Sequence, residues 1–369
     1  RGRYSPYLAL ANVTLDQFLL ERAVEEGAEY EEREIKSIYI TSGLERNIYL
    51  EIEGKSGVRK FDLVVGAFGL NSNLHNLLKR NFSSKERKVN PSEGNGGTEH
   101  LKNIKLNRIK YKPPDVWQVS IAEIQQDEDF VKGTYNDMIQ IFTFGDTKVK
   151  FISLTPKRDR ITVCTIGNGI TMDDTKRYIL TTGIKRYFTF PLSIGCYCFP
   201  NIPVGNATRP YNDRFVVIGD ACASRFMKNG IESAFYTASY AVDTVLNHGI
   251  LAEDFKYHYY PKCKRRYTRD NIYGKIIFEL SNFFASNSRI SKSLFLLAQR
   301  ESRVMDIQNR RFSKGLWQIF TGNISYREIF INILHPLNQF WLIFMTLKSV
   351  FSNRSSISRG FETVIIEEA

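Results

Sequence analysis

The sequence predicts an α/β protein built from more than one domain, with a helical C-terminal region. Three observations support this prediction. The chain has 369 residues and 43% of them are apolar, which is enough for a large hydrophobic core. Strand-like runs dominate long stretches of its first half. A buried strand then ends at Gly219-Asp220, a helix starts near Gly230, and helical patterns continue from about Leu251 onward.

The N-terminal part combines one helix with three strands. Thr14 and Gln17 have the spacing of a capping box and Gly27 supplies a stop, so a helix is predicted over about 14–26. Three strand-like runs, separated by turns that contain glycine, then predict a β-meander. These runs are Glu34–Thr41, Asn47–Glu53 and Val58–Val65.

The middle of the chain predicts an antiparallel sheet. Residues 83–99 are rich in Ser, Lys, Asn, Glu and Gly, which is typical of a mobile loop or a domain boundary. A short helix is predicted at Asp173–Thr182. The predicted strands are Val116–Ile124, Met138–Phe144, Val149–Leu154 and Arg160–Ile166, with Gly145-Asp146 as a hairpin turn.

Aromatic side chains are frequent in this middle part, and most are expected to be packing residues. Any that line a pocket would favour a large apolar substrate over a small polar one. The available aromatics are Trp117, Phe142, Phe144, Phe151, Tyr197 and Phe199.

The segment around Asp220 has the chemistry of a nucleotide site. A carboxylate at the end of a strand can accept hydrogen bonds from sugar or ribitol hydroxyls. The start of the following helix, with Asn229 as N-cap, offers N–H groups and positive potential to a pyrophosphate or a flavin ring. A stripe of mostly small residues on that helix predicts close packing on a sheet: Ile231, Ala234, Ala238, Ala241 and Val245.

Two segments resemble the FAD-contacting motifs of the geranylgeranyl reductase and aromatic-hydroxylase-like flavoproteins. Arg214–Ala221 (RFVVIGDA), followed by Lys228–Ala234 (KNGIESA), resembles the second FAD motif of that superfamily. Phe61–Ser72 (FDLVVGAFGLNS) resembles its mid-chain motif, a strand followed by Gly-Ala-Asp-Gly and a serine. The resemblance covers about residues 10–250 and includes the order of the motifs.

The resemblance implies a glutathione-reductase-like fold with FAD as cofactor. Residues 1–90 and 204–250 would form a partial FAD-binding domain, 91–203 an antiparallel β-rich substrate domain, and 251–369 a helical C-terminal region. Asp220 would bind the ribitol of the flavin, and Gly219 would allow close approach of the backbone. The remaining implied cofactor contacts are the backbone amides of Gly230 and Ile231, and Asn71 and Ser72 in the loop after the mid-chain strand.

The sequence departs from the family pattern at three places. The loop Cys222–Lys228 lacks the proline that is frequent before the glycine of the second motif. Phe68 stands where the mid-chain motif usually has aspartate. The polar contact that this aspartate makes in the family to cofactor or pyridine nucleotide is therefore absent. No Gly-x-Gly-x-x-Gly turn occurs, although the family binds the pyrophosphate of FAD with it. Because position 1 is Arg, we expect the chain to be N-terminally incomplete, without the first βαβ unit of its FAD domain.

The function that these features favour is FAD-dependent oxidoreduction of an apolar, isoprenoid-like or lipid-like substrate by hydride transfer, with NAD(P)H or another electron donor. One alternative is a flavin-dependent monooxygenase that hydroxylates an apolar substrate. The other is a non-catalytic remnant of the flavin fold that binds lipid or a membrane. No protein nucleophile can be named, and the five histidines are scattered singly along the chain.

Charge and cysteine usage set further expectations. The five cysteines are dispersed, which favours reduced, buried thiols in a cytoplasmic protein and no metal site. The net charge is +12, but no nucleic-acid motif accompanies the basic stretch Lys256–Lys275, so a solvated helix face is favoured over nucleic-acid binding. Ile329–Leu347 lacks charged residues but is interrupted by polar ones, which favours peripheral contact with a membrane surface over a span.

Overall fold

The fold is known from a computed structural model of the chain. It describes residues 15–42, 46–71, 109–136, 138–144, 148–227, 230–287 and 312–336, together with residues 290, 291, 293, 294, 296, 297, 301, 340, 343, 344 and 347. Within these residues the protein is a mixed α/β structure with antiparallel sheets and a helical C-terminal region. The hairpin turn at Gly145-Asp146 and the predicted loop 83–99 lie outside them.

The N-terminal part contains the predicted helix and meander. Helix α1 (Leu15–Glu25) has no buried residue. The strands pair antiparallel in the order β1-β2-β3, and alternate residues of the first two strands, such as Ile38 and Ile48, point into the core. The strands are β1 (Ile35–Ile40), β2 (Ile48–Ile52) and β3 (Val58–Phe61).

The third predicted run is two strands, not one, and they belong to different sheets. After β3 the chain breaks at Asp62 and continues as β4 (Val64–Gly66). β4 pairs in parallel with β12 (Phe215–Val217), which pairs antiparallel with β11 (Tyr211–Asn212). The Asp62 carbonyl accepts from Arg214 Nη1, and Val64 N–H donates to the Arg214 carbonyl, so the long-range pairing ends the meander.

The middle of the chain forms a six-stranded antiparallel sheet. Its order is β10-β5-β8-β7-β6, with β9 also paired to β5. The prediction found four of its strands but missed β9 and β10, which contain few β-branched residues. The strands are β5 (Val116–Gln125), β6 (Gln140–Thr143), β7 (Val149–Lys157), β8 (Arg160–Gly167), β9 (Ser193–Cys198) and β10 (Asn201–Pro203).

Two helices cover one side of this sheet. They are α2 (Glu128–Tyr135), which the sequence analysis missed, and α3 (Met172–Thr181). Tyr135 and Ile179 are buried in a shared core with Leu154 and Val163 of the sheet. Thr171 and Asp174 form a capping box at the start of α3.

The C-terminal region covers another surface of the sheet. Helix α4 (Gly230–Asn247) is followed by helical turns over 252–259 and by the long helix α5 (Tyr260–Ser286). Helices α6 (Phe312–Thr321) and α7 (Tyr326–Ile333) pack on α5. Ile277 and Phe278 of α5 share a core with Phe151 of β7.

No helix among the described residues is long and apolar enough to cross a membrane. In the Ile329–Leu347 segment, α7 ends at Ile333 and a turn follows, consistent with the predicted interruption by polar residues.

Candidate functional site

The two motif segments meet in space. In the parallel pair, Val64 lies beside Phe215 and Gly66 beside Val217, so both strands end at the same edge of the sheet. Each strand leads into a glycine-containing turn at this edge, and Gly219 has a φ of +68°, which favours glycine. Carboxyl ends of parallel strands are where α/β sheets bind ligands.

The Asp220 carboxylate lies against the start of α4. A methyl group added to Gly230 would stand 2.9 Å from Asp220 Oδ2, so a larger residue here would force the carboxylate to shift. The amino end of a helix carries positive potential, which stabilises a nearby carboxylate. The structure therefore joins Gly219, Asp220 and Gly230 into one small site.

One oxygen of this carboxylate is buried without a hydrogen-bond donor. Asp220 Oδ1 is buried and has no hydrogen-bond partner among the described residues. Burial raises the pKa of Asp220 above its ordinary value, and a hydrogen bond with Ser224 opposes that rise. A buried acceptor without a donor is unfavourable, so a ligand that brings a hydroxyl donor would be stabilised here.

Hydroxyl groups of α4 fix the turn that presents Asp220. Gly219 N–H donates to Thr237 Oγ1 over 2.7 Å, and Ser233 Oγ donates to the Ala223 carbonyl over 2.5 Å. The predicted packing stripe is only partly right: Ala241 is buried and Val245 packs on the core, whereas Ile231 is 73% exposed. The other buried residues of α4 are Ser233, Thr237 and Thr244. Small polar side chains can pack there because their hydroxyls bond to backbone groups.

The other predicted site residues are Ile231, Asn71 and Ser72. Ile231 follows Gly230 in the first turn of α4, with its side chain in solvent. Asn71 lies at the end of the mid-chain loop, and its Oδ1 accepts from the Asn201 N–H over 2.7 Å, which ties that loop to β10. Ser72 lies outside the described residues.

Tyr111 links the two motif segments, and the sequence analysis missed it. Its ring packs edge-on against Phe68 with 6.0 Å between centroids, and its hydroxyl donates to the Ala221 carbonyl over 2.8 Å. Phe68, which replaces the usual acid, is thus a packing residue beside Gly66. In the sequence, the only sign of this contact is a tyrosine in a stretch that has neither a helix nor a strand pattern.

The loop from Cys222 to Met227 is held by the C-terminal helices. Asn271 of α5 accepts from the Phe226 N–H and donates to the Ser224 carbonyl, and Tyr326 of α7 donates to the Phe226 carbonyl. Arg225 Nε lies 3.1 Å from Asp270 Oδ2, a buried charge contact without hydrogen-bond alignment. The C-terminal region therefore supports the segment between Asp220 and Gly230.

The cysteines are free but not uniformly buried. Cys222 and Cys263 are buried. Burial is the main cause that raises the pKa of the Cys222 thiol, and a hydrogen bond with Cys263 raises it further. Such a thiol is a poor nucleophile. Cys196 and Cys198 of β9 are exposed, so the expectation of buried thiols is wrong there. Over the part of the chain that is described, no group of three or more side chains could hold a metal ion.

Two histidines that are distant in sequence are close in space. The rings of His248 and His258 stack with 3.6 Å between centroids, at the end of α4 and in the turn before α5. The positions of these histidines along the chain do not show this contact.

The aromatics of the antiparallel sheet are divided between two cores: Phe142 and Phe144 pack with α2 and α3, and Trp117 and Phe151 pack with the C-terminal helices. Phe142, Phe144 and Phe151 are buried, while Tyr197 is 61% exposed. Trp117 and Phe151, with Phe278, Ile319 and Phe320, line a cavity of about 20 Å³ that Lys150 and Asn282 also border. That volume suits about one water molecule, not a substrate.

No protein-family model matches the chain, and no curated protein is similar to it. Solved structures that resemble it include the anhydrotetracycline hydroxylase OxyS from Streptomyces rimosus, at 15% identity and a TM-score of 0.45, over 73% of this chain and 54% of that one. The flavin-dependent brominase Bmp2 is 13% identical with a TM-score of 0.48, over 88% and 74% of the two chains. The flavin-dependent monooxygenase PieE, solved with FAD and substrate, is 12% identical with a TM-score of 0.46, over 92% and 52%.

The chain thus spans about half the length of the hydroxylase and of PieE.

Proposed function

We propose that this chain binds FAD and acts as an FAD-dependent oxidoreductase. The observation that carries the proposal is the position of the Asp220 carboxylate, at the end of a parallel strand and against the glycine that starts α4. An acceptor at that position suits the hydroxyls of a ribitol chain, and the N–H groups at a helix start suit the carbonyl oxygens and ring nitrogens of a flavin, which accept hydrogen bonds.

The residues present fit the cofactor. Asp220 Oδ1 is buried and lacks a donor within the described part of the chain, which a ribitol hydroxyl would supply. Gly230 has no side chain to block the approach, and the backbone amides of Gly230 and Ile231 lie at the helix start. FAD, when bound, would accept or deliver a hydride, and the protein would orient the substrate and exclude water.

Reduction of an apolar substrate remains our preferred reaction type, with hydroxylation as the second candidate. The exposed apolar surface of the C-terminal region, described below, suits an enzyme whose substrate is lipid-like. We propose NAD(P)H or another reductant as the electron donor.

Flavin titration tests the site, because the contact assigned to Asp220 is made to the ribitol chain. Riboflavin, FMN and FAD share that chain, so Asp220→Ala should weaken all three alike, by roughly 10- to 150-fold for the loss of a charged acceptor. Gly230→Ala should also weaken them, because its methyl group displaces the carboxylate.

Two matched variants control for general effects of substitution. Asp173→Ala removes an exposed acid from the first turn of α3, and Gly133→Ala adds a methyl group where no atom lies within 4 Å. Both should bind flavin like the parent chain. A parent chain that binds none of the three flavins, or an Asp220→Ala variant with unchanged affinities, would contradict the proposal.

A further inference from the structure

The outer face of α5 has two parts, one basic and one apolar. Residues three, four or seven apart share a face of a helix, and this rule groups Arg265, Arg269, Ile272, Ile276, Leu280 and Phe283. We define these six residues as the outer face. All six are exposed, and the four apolar side chains are 56%, 36%, 41% and 61% exposed in that order.

The opposite face of α5 explains why the helix is stable despite this exposure. Tyr267, Asn271, Ile277 and Phe278 are buried against the rest of the protein. The helix is thus held by its inner face, and the outer face is not a frayed or unpacked segment. Apolar side chains kept in water by a rigid helix lose the free energy that burial would give them.

The charges on the outer face indicate what covers it. Arg265 and Arg269 have no ion-pair partner among the residues the structure describes, and they lie one to two turns before Ile272. The apolar part also contains the acid Glu279, whose Oε1 lies 3.9 Å from Lys275 Nζ on the adjacent turn of α5. Apolar side chains beside unpaired cations are typical of helices that lie in the interface of an anionic bilayer.

The neighbouring helix also exposes apolar residues. α7 packs on α5 through Phe330 and Tyr273, whose rings are 5.4 Å apart, and it exposes Ile331 and Leu334. Neither helix could span a bilayer. We propose that the outer face of α5 binds the surface of a membrane that contains anionic lipid, with α5 parallel to the bilayer plane.

Sedimentation of the full chain with lipid vesicles tests this proposal. Vesicles of phosphatidylcholine with about a third phosphatidylserine should bind the chain, and phosphatidylcholine alone should bind it much more weakly. Arg265→Gln/Arg269→Gln should lower the affinity for the anionic vesicles about 25-fold, or about fivefold for each cation. Leu280→Ser/Phe283→Ser should lower the affinity for both kinds of vesicle at least about tenfold.

The matched control lies on α3, which covers the six-stranded sheet. Lys176→Gln/Leu180→Ser also removes an exposed cation and an exposed apolar side chain one turn apart, and it should bind vesicles like the parent. Circular dichroism and thermal unfolding should show all variants folded. No binding to anionic vesicles, or equal losses in the control, would overturn the proposal. So would a parent dimer that Leu280→Ser/Phe283→Ser makes monomeric, because a second copy would then cover the face. None of these readouts involves flavin.

Discussion

At the scale of single residues, the burial of Asp220 sets a pH dependence. Its folded-state pKa lies above the ordinary value of 3.8, so the folded chain binds this proton more tightly than the unfolded chain does. The free energy of unfolding therefore falls as pH rises from about 3.8 through the raised pKa. Asp220→Asn cannot ionise, so in the absence of flavin its stability relative to the parent should increase as pH rises through that window. Urea unfolding measured from acidic to neutral pH checks this, and parallel stability curves would refute it.

At the scale of elements, α5 controls the loop that follows Asp220. Asn271 bonds to backbone groups on both sides of Arg225, so Asn271→Ala leaves a buried N–H and a buried carbonyl without their partner. We expect a loss of about 1 to 3 kcal/mol in the free energy of unfolding. Ile272→Ala, one residue further on the outer face, should change it by less than about 0.5 kcal/mol. Denaturant unfolding of the two variants makes the comparison, and equal effects would show that Asn271 does not hold the loop.

At the scale of the whole molecule, the charge contact between Arg225 and Asp270 connects the α/β part with the C-terminal helices. Its side chains are 14% and 9% exposed. Arg225→Met should cost about 3 to 5 kcal/mol of unfolding free energy, because it leaves a buried carboxylate without its cation. Arg225→Met/Asp270→Asn should recover part of that loss. A double-mutant cycle measures the coupling, and purely additive losses would mean that the two charges do not interact.

Local patterns predicted much of this architecture because they depend on nearby residues. The short helix predicted at Asp173–Thr182 and the strand-like runs Glu34–Thr41 and Asn47–Glu53 are local patterns, and the structure has α3, β1 and β2 within one residue of them. The division of Val58–Val65 into β3 and β4 depends on Arg214, which is distant in sequence, so no local pattern shows it. The predicted packing stripe of α4 was partly wrong for a similar reason. Ser233 and Thr237 are buried because the turn around Gly219 and Ala223 supplies partners for their hydroxyls.

The pairing of β4 with β12 has a consequence during synthesis. The hydrogen bond between Arg214 and Asp62 joins residues 152 positions apart. At typical translation rates, roughly 8 to 30 s pass between the appearance of the two partners. Throughout that interval β4 lacks its parallel neighbour, and an unpaired strand edge can join another nascent chain. Slower elongation over residues 67–213 should therefore lower the yield of correctly folded chain, and chaperones that bind extended apolar segments should restore it.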